Sequence, residues 1–229
     1  EGIADEQLKN QAAAYDLAGY VMAFSLYGKM TGEQKYFDYA ARILRAAQRT
    51  ARGSEFDGFA NYYRTDRIER QGEMVSGTET IVHAGPNIWL AMAALQYDHL
   101  RGTKDFRDFA ISLGEWVAKL PSQDGGIAMG PKDDWRAGWT RIFSTEHNAD
   151  WLALTGMLQE VATDAEKKQL FEKEHEQVYD WLMKVAFDPA VGGFKRGAND
   201  SKRALDTVTF FILAAMGKEG ELNPSLAQR

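Results

Sequence analysis

The sequence predicts an all-α protein built from repeated antiparallel helical hairpins, an (α/α) toroid or an arc of one. Three observations carry this. Motifs recur at a step of about 67 residues, charge-poor helices alternate with amphipathic ones, and long connections fall after every second helix.

The first hairpin opens over residues 11–29, where Leu17, Val21, Phe24 and Leu26 lie near a helical period. Thr31-Gly32 breaks it. The chain returns over 33–50 with an apolar stripe of Tyr36, Phe37, Tyr39, Ala40, Ile43, Leu44 and Ala47. In the second hairpin Pro86 suits a first helical turn, Trp89 to Leu100 follow, Gly102 closes the helix, and 104–119 form its partner. The third opens at Ser144 or Thr145, either a good N-cap, runs to about 161, turns at Thr163-Asp164 and returns over 165–186. Residues 204–216 read as a fourth opening helix.

The repeat is visible residue by residue. Tyr27 to Gly32 matches Tyr97 to Gly102 at a spacing of 70, and at that offset Tyr36, Asp38, Tyr39 and Ala40 meet Phe106, Asp108, Phe109 and Ala110. Glycine turns recur at Gly58, Gly125 and Gly192, each 67 residues after the last. A fixed period of this size marks stacked units that bury their apolar faces on their neighbours. Ile88–Tyr97 and Trp151–Leu158 carry no charge before their final turns, which fits inner helices, whereas Glu166, Lys167, Lys168, Glu172, Lys173 and Glu174 mark an outer, solvated face. The long connections, about 51–84, 120–143 and 187–203, hold glycine turns, aromatics and carboxylates. All precede an inner helix, and loops of this length commonly carry function.

Composition narrows the classes. The 229 residues are 45% hydrophobic and 12% aromatic, enough for one substantial core, and the chain is expected to be a single domain over 1–229. Net charge is −6 with no basic stripe, so nucleic acid is not an expected partner, and no run of about 18 apolar residues predicts a membrane span. Absence of Cys removes disulfides, thiolate metal sites and thiol nucleophiles. There is no His-Glu-x-x-His, no phosphate-binding glycine loop before Lys, and no Gly-x-Ser-x-Gly. No cofactor or metal is expected. Because the chain opens at Glu1 and not Met, an exported bacterial protein that has lost a signal peptide, periplasmic or secreted, is the expectation.

Three stretches before inner helices carry a resemblance: Ala14-Tyr15-Asp16, His83-Ala84-Gly85-Pro86-Asn87-Ile88-Trp89-Leu90, and Ser144-Thr145-Glu146-His147-Asn148-Ala149-Asp150. With the glycine turns they resemble the six-hairpin glycosidase superfamily, the (α/α)6 toroids, over roughly residues 11–216. The resemblance implies a carbohydrate-active protein; such folds include hydrolases, polysaccharide lyases and sugar epimerases, so the reaction does not follow from the fold. A closed ring takes about six hairpins and this chain has about three and a half. It is therefore an open arc or part of a longer protein, and an incomplete arc leaves room for a protein partner.

In such a toroid the starts of the inner helices line one face, where helix N-termini favour carboxylates and anionic ligands. Glu146 leads the catalytic candidates, with Asp150 one turn later; paired carboxylates suit glycoside hydrolysis, one protonating the leaving oxygen and the other activating water or attacking. The competing reading of Ser144-Thr145-Glu146-His147 is ordinary helix capping. Asp16 and Asp206 are helix-start anchors or a water-activating base, and Glu79 is a further candidate base. His83 and His147 can bind sugar hydroxyls, abstract a proton as an epimerase or lyase needs, or simply hold loops on helix starts. Tyr62, Tyr63, Trp135 and Trp139 offer planes for sugar C–H faces, Asn87 and Asn148 offer amides, and Arg64, Arg136 and Arg141 add donors for carboxylated sugars. The expected ligand is thus a poly- or oligosaccharide. A glycoside hydrolase-like enzyme, a sugar epimerase or lyase, and a non-catalytic glycan- or protein-binding repeat module all remain open.

Overall fold

The computed structural model describes residues 11–51, 58–64, 82–131 and 138–215. The chain divides into two compact units, residues 1–116 and 117–229. Both are helical, with only short two-stranded ladders among the described residues.

In the first unit, β1 (Gln11–Ala13) leads into α1 (Ala14–Thr31), followed by α2 (Gln34–Ala51), β2 (Tyr62–Arg64), α3 (Ala84–Arg101) and α4 (Arg107–Val117). Both inner helices stop on a left-handed glycine. Gly32 has φ 73 and returns its N–H to the Gly28 carbonyl, and Gly102 has φ 72 and returns its N–H to Asp98 and His99. The recurrence at a spacing of 70 thus encodes helix ends. Phe37, Ala40, Ala41, Leu44 and Ala47 of α2 are buried at helical spacing. Gly28 lets this face come close, because a Cβ there would lie 2.9 Å from the Phe37 ring. α1 packs on α2 and on α3, so the two inner helices lie side by side and the first hairpin closes on itself. Asp98, near the end of α3, accepts from Thr103 Oγ1 (3.0 Å), Asp105 N (2.9 Å) and Phe106 N (3.0 Å), tying the start of α4 to α3.

One expectation needs correction. Residues 11–13 do not open the first helix; they pair antiparallel with β2, Gln11 facing Arg64 and Ala13 facing Tyr62. Alanine tolerates either conformation, and the strand satisfies backbone groups that a helix start would leave open.

The second unit begins with the hairpin β3 (Ser122–Gln123) and β4 (Gly126–Ile127). Asp124 (φ 53) and Gly125 (φ 92) between them form the two-residue turn with both central residues left-handed. A 3₁₀ turn over Trp139–Arg141 precedes α5 (Thr145–Val161). α6 (Ala165–Trp181) is capped by Asp164, whose Oδ1 accepts from the Lys167 N–H at 3.0 Å. The helical path expected to continue to 186 widens into a π turn over Leu182–Ala186, then β5 (Phe187–Asp188), β6 (Gly193–Phe194) and α7 (Leu205–Ala215) follow. α5 packs against α6 and α7, repeating the inner-on-inner, inner-on-outer arrangement.

A buried asparagine one turn into α3 and another into α5 do the same work. Asn87 Oδ1 accepts from Phe59 N (2.6 Å), and its Nδ2 donates to the Phe59 and His83 carbonyls (2.9 and 2.7 Å). Asn148 Oδ1 accepts from Ile127 N (2.8 Å), and its Nδ2 donates to the Ile127 and Ser144 carbonyls (3.1 and 2.8 Å). Each amide grips the turn that precedes its helix, and the glycine before the gripped residue presses on an outer-helix indole: Gly58 on Trp116, Gly126 on Trp181. The structural repeat therefore equates Gly58 with Gly126, one residue away from the sequence match to Gly125.

α1 and α7 differ from α3 and α5. α1 buries one stripe, Ala14, Ala18, Val21, Ser25 and Gly28, and leaves Tyr20, Leu26, Tyr27 and Met30 exposed; α7 leaves Leu205, Ile212 and Leu213 exposed. An inner helix needs a neighbour on each side to bury all of its faces.

Candidate functional site

In the first unit the starts of α1 and α3 are joined through Asn61. Its backbone carbonyl accepts from Ala14 N, the first residue of α1, at 2.8 Å, and its side chain meets His83, the residue before α3. The two helix starts therefore lie at the same end of the unit. Asp16 is exposed in the first turn of α1, Tyr62 is partly exposed on β2, and His83 is half-buried. Tyr15 and Trp89 meet edge to face at the same end, ring centroids 6.1 Å apart.

In the second unit the starts of α5 and α7 come together. Thr145 donates its N–H to the Arg196 carbonyl (2.9 Å) and its hydroxyl to the Lys195 carbonyl (2.6 Å), and Ser144 bridges to Gly197. Ser144 stands at the N-cap position but makes no side-chain cap, so the capping reading of this stretch is not realised through Ser144; the segment 195–197 after β6 meets the helix start instead. Glu146, in the first turn of α5, is half-buried. Burial pushes its carboxyl above the usual glutamate range, and the negative charge of Asp206, in the first turn of α7, pushes it further the same way. The helix N-terminus favours the ionised form and works against this shift. Asp206 is exposed, and its Oδ1 accepts from Thr207 N at 2.7 Å.

Other sequence candidates fall elsewhere. Asn87 and Asn148 are fully buried, both amide hydrogens of each spent on backbone carbonyls, so the substrate-contact reading gives way to a loop-anchoring one. His147 and Asp150 are buried in the helix packing, each 4% exposed, unlike the half-buried Glu146 immediately before His147. Trp139 is half-buried and Arg141 exposed on the turn before α5, which is tied to the hairpin by Met129 N donating to the Ile142 carbonyl at 2.8 Å. Glu79, Trp135 and Arg136 lie outside the described residues, as do the side chains of Tyr63 and Arg64. Among the described residues no group of His, Asp and Glu is arranged to hold a metal ion, and no helix is long and apolar enough to cross a membrane.

Sequence reading missed Asn61 and misplaced Glu174. The latter was read within the solvated outer face, yet burial raises its carboxyl while the Trp151 indole and Lys173 pull the other way. Its spacing from Phe171 and Val178, both buried, was the available signal.

No protein-family model matches the chain, and no curated protein matches its sequence. Solved structures do match in fold. A D-mannose isomerase aligns with TM-score 0.69 and 15% identity over 90% of this chain and 53% of its own. An unsaturated glucuronyl hydrolase from Bacillus sp. GL1 aligns with TM-score 0.69 and 14% identity over 90% of this chain and 58% of its own. A sugar epimerase from a ruminal bacterium aligns with TM-score 0.67 and 12% identity over 94% of this chain and 48% of its own. The chain spans about half the length of these structures. Its fold is the helical-hairpin fold of the six-hairpin glycosidase-like enzymes.

Proposed function

We propose that this chain is a carbohydrate-active protein and that Glu146 is the general acid in hydrolysis of a glycosidic bond. The observation that carries this is the raised carboxyl of Glu146, half-buried at a helix start with the charge of Asp206 bearing on it. A carboxyl that burial makes hold its proton more tightly is suited to deliver it to a leaving glycosidic oxygen, and a second carboxylate can activate water or attack the sugar. In this reading Asp206 is the second carboxylate. The sugar class is supported by the neighbours in fold, whose names are those of enzymes acting on mannose, other sugars and a glucuronyl group.

The starts of α1 and α3, with Asp16, Tyr62 and His83, are proposed as further sugar-binding positions. In the first unit Tyr62 is proposed to offer a ring face to sugar C–H groups; in the second, Trp139 is proposed to do the same and Arg141 to donate to a uronic-acid carboxylate, which favours an acidic poly- or oligosaccharide. Such a substrate fits a periplasmic or secreted protein, and that location is part of the proposal. The test is a titration of the chain with neutral and uronic-acid oligosaccharides, following tryptophan fluorescence. A saturable change, stronger for the acidic sugars, is expected; no response to any sugar would overturn the reading.

A further inference from the structure

Each inner helix has two apolar faces, and counting from the first residue of each helix makes them comparable. The first, fifth and eighth residues set one face. They are Ala14, Ala18 and Val21 in α1 and Thr145, Ala149 and Leu152 in α5, all buried. In α1 this is the buried stripe, and the helices packed on α1, α2 and α3, both follow it in the chain; the face therefore takes what comes next. The seventh, tenth and fourteenth residues set the other face. In α3 they are Leu90, Ala93 and Tyr97, all buried, and the Tyr97 ring meets Phe37 of α2 at 5.9 Å, so this face takes what comes before. α5 buries the same positions, Trp151, Leu154 and Leu158.

α1 and α7 each leave one of these faces bare. In α1 the preceding face is Tyr20, Ala23 and Tyr27, all exposed. Tyr27 meets Tyr36 edge to face at 4.6 Å, just as Tyr97 meets Phe106 at 5.3 Å, yet Tyr27 is 47% exposed and Tyr97 4%. In α7 the following face is Leu205, Thr209 and Ile212; Leu205 is 81% exposed, Ile212 47%, and Thr209 is exposed as well. The preceding face of α7 is occupied, since its seventh residue, Phe211, lies 6.4 Å from the Tyr179 ring of α6 and 4.6 Å from that of Phe194. After Asp206, α7 carries no charged side chain with which to solvate the bare face.

We propose that a second copy of this chain covers these faces: the following face of α7 in one copy packs on the preceding face of α1 in another, repeating between copies the contact that α1 makes with α3 within one. The chain itself carries both halves of the contact, a face that lacks its next helix and a face that lacks its previous one. Exposed apolar surface of this kind marks an interaction site. The solved structures of the same fold are about twice as long, since this chain spans 53%, 48% and 58% of them, and two copies supply that length. The two faces differ, so the contact is head-to-tail and each copy can take part in two. The proposal rests on packing and not on the carbohydrate reading.

Sedimentation equilibrium of the native chain gives the first test. Its mass should rise with concentration from the 25.7 kDa of one chain to at least twice that value. A mass of one chain at every concentration overturns the proposal, whether or not any variant folds. The second test separates the two faces. Tyr20→Glu puts a charge on the α1 face and Ile212→Glu puts one on the α7 face; both residues are exposed, and circular dichroism checks the fold. Tyr27→Lys and Leu213→Lys, at neighbouring exposed positions, replace a variant that fails to fold. Each variant alone should stay at the mass of one chain. An equimolar mixture should reach the mass of two and no more, because the intact α7 face of one variant meets the intact α1 face of the other. A mixture that stays at one chain overturns the head-to-tail contact. So does Ile212→Glu associating by itself, which would mean that α1 pairs with α1.

Discussion

Asn148 holds Ile127 at both of its backbone polar groups, the N–H donating to Oδ1 at 2.8 Å and the carbonyl accepting from Nδ2 at 3.1 Å. Both residues are buried, and no water is needed to complete the pairing. Asn148→Ala strands the Ile127 N–H and carbonyl and withdraws a donor from Ser144; the expected cost is about 2–4 kcal/mol. Asn148→Asp should also destabilise, since it keeps the acceptor and loses both donors. Urea unfolding checks this: the midpoint should fall while the slope stays constant. A loss below about 1 kcal/mol for Asn148→Ala would deny the anchoring role.

Gly126 separates packing from backbone strain. A Cβ there would stand 2.5 Å from the buried Trp181 indole, which has no room to retreat, and Gly126→Ala is expected to cost roughly 1–3 kcal/mol. At Gly193 a Cβ meets nothing within 4 Å and φ is not positive, so Gly193→Ala should stay within about 0.5 kcal/mol of the native chain. Thermal melts of the two variants side by side test the contrast; equal losses would contradict it.

Stability should depend on pH through Glu146 and His175 in opposite senses. The Glu146 carboxyl is raised in the folded state, chiefly by burial and then by Asp206, so the folded chain binds that proton more tightly than the unfolded one. Its contribution is fully present below the ordinary glutamate range and is lost as pH rises through the raised value. Glu146→Gln should therefore flatten the decline of stability above the ordinary glutamate range. His175 is held below the ordinary histidine range, chiefly by burial, so its contribution is present above that range and is lost as pH falls through the lowered value. Unfolding free energies of the native chain, Glu146→Gln and His175→Gln across acid to neutral pH check both signs.

Much of the fold was legible because its signals are local. Gly32 and Gly102 end helices by adopting a conformation that other residues resist, and they stand out in the sequence for that reason. Most of the buried face of α2 follows from periodicity, but Tyr39 of the predicted stripe is exposed. The register of the glycine turns did not: Gly125 is required by its positive φ, whereas the equivalent of Gly58 is Gly126, and only the distances to Trp116 and Trp181 show this. The site was partly legible. Glu146 stood out as an acid at a helix start, but its raised carboxyl depends on Asp206, sixty residues away along the chain and brought near by the packing of α5 on α7. Asn61 carried no local signal, since an asparagine after a glycine turn is ordinary turn chemistry. Asn87 and Asn148 looked like ligand amides because polar residues in a charge-poor helix suggest function; their partners are backbone groups of loops that sequence cannot fold back.

The central claim is that Glu146 supplies the proton in cleavage of a glycosidic bond. Its most direct test is the turnover of neutral and uronic-acid oligosaccharides by the native chain and by Glu146→Gln, with fold checked by circular dichroism and binding by tryptophan fluorescence. The glutamine keeps the shape of the side chain and removes the ionisable proton. The account predicts that the native chain cleaves an oligosaccharide and that Glu146→Gln binds the same sugar, keeps the fold and loses about 100-fold or more of the rate. Full turnover by Glu146→Gln on a sugar that the native chain cleaves would contradict it.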